Sequence, residues 1–128
     1  MSVNSAGEIN SYYNEVFRSG NLERLLALYE PDAVLEAQPG ELVRGRSAIR
    51  EQLNNLLALK GELHAENQSC VEFGDLALLR ADWQFTGEDP SGKPVSMGSA
   101  SSKVARRQPD GTWLYIIDLP FGSNPKKA

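Results

Sequence analysis

Ile9, Tyr12, Tyr13, Val16 and Phe17 recur at the i, i+3, i+4, i+7, i+8 spacing of a single apolar helical stripe, so an amphipathic helix is predicted near the start of the chain. Ser5 and Glu8 just ahead of it have the spacing of a capping box, in which each side chain satisfies a free backbone N–H of the first turn. Gly20 is placed to take the left-handed conformation that stops this helix. Asn21 then caps a short second helix whose Leu22, Leu25, Leu26 and Tyr29 face inward before Pro31 ends it. Residues 33–38 read as a short strand closed by the turn pair Pro39-Gly40. A third helix is predicted over 47–60, with Ile49, Leu53, Leu56, Leu57 and the stem of Lys60 as its stripe and Gly61 as its stop.

Beyond Gly61 the period changes from helical to two. Leu63, Ala65, Val71 and Phe73 alternate with His64, Glu66, Gln68 and Glu72, as a half-buried strand requires. Gly74-Asp75 suits a tight hairpin turn. Further strands are predicted over 76–86, 95–107 and 112–119, separated by the loop 87–94 and the turn Pro109-Asp110-Gly111. The polar tail 122–128 carries Pro125 and is expected to fray. Four consecutive strands with short connections form an antiparallel meander, and helices concentrated ahead of it cover one face, which is an α+β arrangement. Within the meander, Ser96-Met97-Gly98-Ser99-Ala100-Ser101-Ser102 is almost all small residues. Such a stretch weakens a flat strand and marks a bend. A sheet bent beneath helices leaves an unfilled space; a close backbone approach is the alternative reading.

Composition narrows the function classes. A chain of 128 residues with 41% hydrophobic and 23% charged residues fits one globular domain spanning 1–128. No apolar run approaches the ~18 residues of a membrane span, and the first residues have neither a basic nor an apolar leader region. The single cysteine, Cys70, has no intrachain partner, which fits a reducing, cytoplasmic setting. A net charge of −4 argues against nucleic acid, and the small clusters Arg44, Arg46, Arg50 and Arg106, Arg107 read as solvated faces. His64, the only histidine, reads as an exposed strand residue without metal-ligand spacing. With no Gly-rich phosphate loop or Ser/Cys nucleophile motif either, neither a metal nor another cofactor is expected.

Four segments together carry a resemblance. They are Ser19-Gly20-Asn21-Leu22 after a tyrosine-bearing helix, Leu28-Tyr29-Glu30-Pro31-Asp32-Ala33-Val34, Arg44-Gly45-Arg46-Ser47-Ala48-Ile49-Arg50, and Gln108-Pro109-Asp110-Gly111-Thr112-Trp113. In this order and spacing they resemble the SnoaL-like and ketosteroid isomerase-like members of the nuclear-transport-factor-2-like superfamily, over about residues 5–121. The resemblance implies a cone-shaped, cystatin-like fold, three N-terminal helices on a curved antiparallel sheet. It also implies a small-molecule pocket between the first and third helices and the concave sheet face, and a homodimer through the other face. The alternation agrees with two apolar faces: Ala77, Leu79, Ala81, Trp83 and Phe85 point one way, while Leu76 and Leu78 begin the other, so a monomer would expose a sizeable patch.

Isomerase chemistry needs a carboxylate base and donors for the developing enolate oxygen. The family's donor tyrosine lies on the first helix, seven residues before its terminal glycine, and Tyr13 matches it. The base position carries Ala37 beside Glu36, and the second donor acid falls on Ser102 or Lys103. With two of three groups missing, ketosteroid isomerase activity is not expected. Asp118 is the remaining candidate, set in an apolar strand on the side of Leu114 and Ile116, which the resemblance makes the pocket side. Apolar surroundings disfavour a carboxylate's charged form, which suits acid–base work. The competing role for Asp118 is to accept backbone hydrogen bonds where the strand turns at Pro120. Arg80, Asp82 and Gln84 share one side of their strand, and the resemblance turns that side to the pocket, where Arg80 could pair with Asp118 or hold an acidic ligand. Simple patterning instead buries Ala81, Trp83 and Phe85. The predicted function is a dimer that binds a small hydrophobic or amphipathic molecule, with Arg80, Asp82, Gln84 and Ile116 as binding residues. The alternatives are an acid–base enzyme of isomerase, cyclase or hydratase type using Asp118 and Tyr13, and a protein-association module.

Overall fold

The computed structural model of the chain describes residues 3–122; the tail from Ser123 onward, expected to fray, lies outside the described residues. A short 3-10 turn, Ala6–Glu8, leads into α1 (Ile9–Ser19), then α2 (Leu22–Leu26), β1 (Tyr29–Gln38), β2 (Glu41–Arg44), α3 (Arg46–Ala58), β3 (Lys60–Phe73), β4 (Leu76–Glu88), β5 (Pro94–Arg107) and β6 (Trp113–Leu119). The α+β architecture is as the sequence predicts: one curved six-stranded sheet in the order β2-β1-β6-β5-β4-β3, covered on one face by helices. β3 to β6 form the antiparallel meander. The sheet as a whole is mixed, because β1 pairs parallel to β6.

Local signals at the helix ends are realised unevenly. Gly20 ends α1 at φ 72°, and its N–H donates to Phe17 O. Asn21 caps α2, its side-chain oxygen accepting from Arg24 N at 3.0 Å. The capping box does not form: Ser5 starts the 3-10 turn with no side-chain cap, and Glu8 N donates to Ser5 O instead. Tyr29 and Pro31 belong to β1 and not to the second helix, and residues 41–44 form a strand the pattern did not predict. Gly61 does not end α3. It stands in β3 directly opposite Gly87 of β4, and a Cβ on Gly61 would lie 2.1 Å from Thr86 O. Two strands approach this closely only because neither residue has a side chain.

The core lies between α1, α3 and the inner sheet face. Ile9, Val16, Phe17, Leu25, Tyr29, Ile49, Leu53, Ala77, Leu79, Phe85, Trp113 and Tyr115 are all buried. On β4 the inner set is Ala77, Leu79, Ala81, Trp83 and Phe85, so plain alternation gives the correct face. The opposite face carries a row running Val71–Leu78–Val104–Ile117 across four strands, bordered by Phe73 and Leu76. Every residue of β3 except Leu63 is exposed, Phe73 at 83% and Val71 at 59%, so β3 is not the half-buried strand the alternation predicts. No described helix is long and apolar enough to cross a membrane.

Candidate functional site

A cavity of about 370 Å³ remains between the helices and the inner sheet face. Its existence follows from side-chain size. Ala65, Ala81 and Ser101, from three neighbouring strands, line it where larger residues would fill the space. Gly98, in the small-residue stretch, sits where a Cβ would come within 2.8 Å of Trp83 O. Phe17, Leu56, Leu59, Leu63, Trp83 and Met97 supply apolar wall, and the exposed lining residues Gln38, Asn55 and Ala65 mark the opening. Phe121 closes one side, its ring 5.7 Å from that of Trp83, whose indole N–H donates to Pro120 O at 2.7 Å.

The polar end is assembled from four elements. Lys103 of β5 and Asp118 of β6 are directly opposed in the ladder and both face inward, with Leu35 of β1 the next partner in the row. Lys103 Nζ lies 3.5 Å from Asp118 Oδ1, and the two side chains are only 11% and 3% exposed. The ammonium also lies over the rings of Tyr13 and Tyr115, 4.4 and 4.8 Å from their centroids. Tyr29 donates its hydroxyl to Asp118 Oδ2 at 2.5 Å, and Tyr115 donates to Asn10 Oδ1 at 2.5 Å. Asp118 Oδ1 is buried without a hydrogen bond.

Burial, and then the Asp118 charge, hold the phenols of Tyr13, Tyr29 and Tyr115 above the ordinary tyrosine value of 10.0. At Tyr13 a hydrogen bond with Tyr29 acts the other way but is outweighed. All three therefore remain protonated donors at neutral pH.

Tyr13 and Asp118 line the same cavity. Asp118 gets there by a route that simple alternation misses. The β5–β6 register shifts between Val104 and Ala105, so Ile116 is an unpaired bulge residue. Asp118 consequently shares its side with Tyr115 and Trp113 and not with Leu114 and Ile116. Ile116 does not line the cavity. Arg80, Asp82 and Gln84 do not line the cavity as expected: they are exposed on the outer face of β4, and Asp82 there accepts from Gln68 at 3.2 Å. The cation beside Asp118 is Lys103 and not Arg80.

Ala37, where the resemblance to ketosteroid isomerases would put a base, is a bulge residue lining the cavity. Its neighbour Glu36 is buried, with Oε2 accepting from Gly40 N at 2.9 Å and Oε1 from Phe121 N at 3.0 Å. Both oxygens thus tie loops together. His64 is exposed beside Glu62. Among the described residues no group of three His, Cys, Asp or Glu side chains gathers to hold a metal ion.

Lys103 was legible as the one charge among the inward positions Met97, Ser99, Ser101 and Ala105, once β5 is read with period two. Nothing local signals Tyr29 as the partner of a residue 89 positions away.

The profile of the SnoaL-like domain family matches residues 9–115. Several solved structures share the fold. A ketosteroid isomerase-like protein from Erwinia carotovora atroseptica is 19% identical over 88% of this chain and 89% of its own, with a TM-score of 0.73. A proposed dehydratase of the nuclear-transport-factor-2-like family from Streptomyces avermitilis is 18% identical over 88% and 89%, with a TM-score of 0.70. A proposed calcium/calmodulin-dependent protein kinase II association domain from Xanthomonas campestris is 23% identical over 88% and 81%, with a TM-score of 0.72. At such identities the likeness speaks for the fold and leaves activity to the site. No curated protein matches the chain.

Proposed function

Because this chain belongs to the SnoaL-like domain family, whose fold hosts unrelated activities, we propose from its own cavity that it binds a small amphipathic molecule. One observation carries this reading: about 370 Å³ of interior space is left unfilled, with a mainly apolar wall, a buried charged pair of Lys103 and Asp118 beside Tyr13, and further amide side chains such as Gln38 and Asn55 at the mouth. That volume lies at the small end of ordinary ligand pockets. The apolar body of the ligand lies against Phe17, Leu56, Trp83 and Met97, and its polar end reaches Lys103 and Asp118. Calorimetric titration with naphthalene-sized probes tests this, using Ala65→Trp to block the exposed cavity mouth. The expected result is one site per chain that the variant loses. Binding indifferent to the variant, or no binding of any probe, sinks the proposal.

A second reading is acid–base catalysis of isomerase, cyclase or hydratase type, and the Asp118 environment favours it specifically. A buried carboxylate with one oxygen free of hydrogen bonds can accept a substrate proton, while Lys103 and Tyr13 hold a developing negative oxygen. Asp118→Asn separates the two: a pure binder keeps its affinity within a few-fold, whereas an enzyme loses orders of magnitude of turnover. Ketosteroid isomerisation itself is not proposed, since Ala37 has no base to offer and Glu36 is engaged by backbone donors.

We also propose a homodimer through the outer sheet face, supported by the exposed apolar row around Leu78 and Val71. Leu78→Glu should shift light scattering from dimer to monomer while leaving probe binding intact. An association module would instead scatter as a larger assembly, and the unfilled cavity weighs against it. A cytoplasmic setting belongs to the same proposal, in keeping with the exposed free thiol of Cys70.

A further inference from the structure

The polar end of the cavity holds a donor and an acceptor that the protein itself leaves unmatched. Asp118 has one oxygen committed to Tyr29 and the other, Oδ1, buried without a hydrogen bond. Such an orphaned acceptor is costly, and native structures rarely keep one without a use. Lys103 Nζ is its nearest cation, but at 3.5 Å the pair is an ion pair without a hydrogen bond. The ammonium's other contacts are the faces of two tyrosine rings, which attract its charge and accept none of its protons in a conventional hydrogen bond. Its N–H groups are therefore available to an incoming acceptor, and its flexible stem is fixed by no hydrogen bond.

We infer that the ligand's polar end is a hydroxyl group that bridges this pair, accepting from Lys103 Nζ and donating to Asp118 Oδ1. This rests on the small-molecule reading of the cavity and names the ligand class as an alcohol or phenol. The choice follows from hydrogen-bond inventory. An oxygen about 2.8 Å from each atom is compatible with two groups 3.5 Å apart, and it reaches the buried Oδ1 when the stem of Lys103, held by no hydrogen bond, shifts to admit it. Only a group that both donates and accepts satisfies the two at once. A ketone or ether answers Lys103 but leaves Asp118 Oδ1 orphaned. A carboxylate brings a second negative charge against Asp118 in a site whose ion pair is already neutral. A hydrocarbon answers neither.

A matched probe series on the full chain tests the inference by calorimetry: naphthalene, 2-methoxynaphthalene, 2-naphthol and 2-naphthoate. The wild-type protein should bind 2-naphthol at least tenfold more tightly than the ether or the hydrocarbon, a difference of about 1.4 kcal/mol. Lys103→Met and Asp118→Leu should each reduce that preference, read as the ratio of naphthol to naphthalene affinity within the same variant, to within about threefold. The wild-type series decides the matter even if a variant does not fold. Equal binding of naphthol and naphthalene, as when a retained water already bridges the pair, overturns the hydroxyl assignment and leaves the binding proposal standing. Tightest binding of 2-naphthoate also overturns it, in favour of Lys103 as an anion anchor. Failure of every probe to bind overturns both.

Discussion

Replacing Lys103 by Met removes a buried cation while keeping most of the stem that packs beneath it. At 3.5 Å and an effective dielectric of about 20, the attraction to Asp118 amounts to about 5 kcal/mol. The desolvation of two almost fully buried side chains offsets much of this in the intact pair. The variant keeps the desolvated carboxylate, now supported only by the Tyr29 hydroxyl, and also loses the contacts with two tyrosine faces. The expected cost at pH 7 is about 3–5 kcal/mol, the usual result of breaking a buried pair from one side. Asp118→Asn should cost about 2–4 kcal/mol, because it strands Lys103 and weakens a charge-assisted hydrogen bond. Removing both partners leaves neither charge stranded. The double variant Lys103→Met/Asp118→Asn should therefore be more stable than the sum of the singles by at least about 2 kcal/mol. Urea unfolding followed by tryptophan fluorescence, with the m-value checked for constancy, measures all three. Additive costs, within about 0.5 kcal/mol, would show that the two charges do not sense one another and would refute the site as described.

Three further outcomes follow from the same geometry. Above pH 10 the tyrosines of the unfolded chain ionise while Tyr13, Tyr29 and Tyr115 stay protonated in the fold, so the unfolded state binds fewer protons and stability falls as pH rises. Each contributes a slope of up to about 1.4 kcal/mol per pH unit, so Tyr13→Phe should flatten alkaline denaturation by that much. Glu30 accepts from Arg106 at 2.9 and 3.1 Å and from Gln108 at 2.7 Å, and the Arg106 hydrogen bonds, its largest influence, lower its pKa below the ordinary 4.5. Its stabilising effect is present above pH 4.5 and lost as pH falls through the lowered value, so Glu30→Gln should lose stability at neutral pH and show a shallower acid dependence, read by thermal melts across pH 3–7. Gly61→Val should destabilise by more than about 2 kcal/mol in urea, because its Cβ meets backbone of β4 that has nowhere to move; an unchanged midpoint would contradict the close strand approach.

The sequence by itself determined what depends on near neighbours. The apolar stripe of α1, the left-handed stop at Gly20 and the Asn21 cap are set by spacings of a few residues, and each stands where the pattern puts it. The small residues of β5 pointed to a space beneath the helices, and Ser101 does line the cavity there, although the β4–β5 ladder runs through the stretch without a bulge and Gly98 marks a close approach to β4. The tertiary structure alone decided the chemistry of that cavity. Its ion pair joins Lys103 and Asp118 through strand register, and its tyrosine partner comes from 89 residues away, so no local window contains either relationship. A single bulge at Ile116 carries Asp118 to the face opposite the one alternation assigns. Strand side chains have a period of two, so one inserted residue moves every later side chain across the sheet, and only the paired strand reveals the insertion.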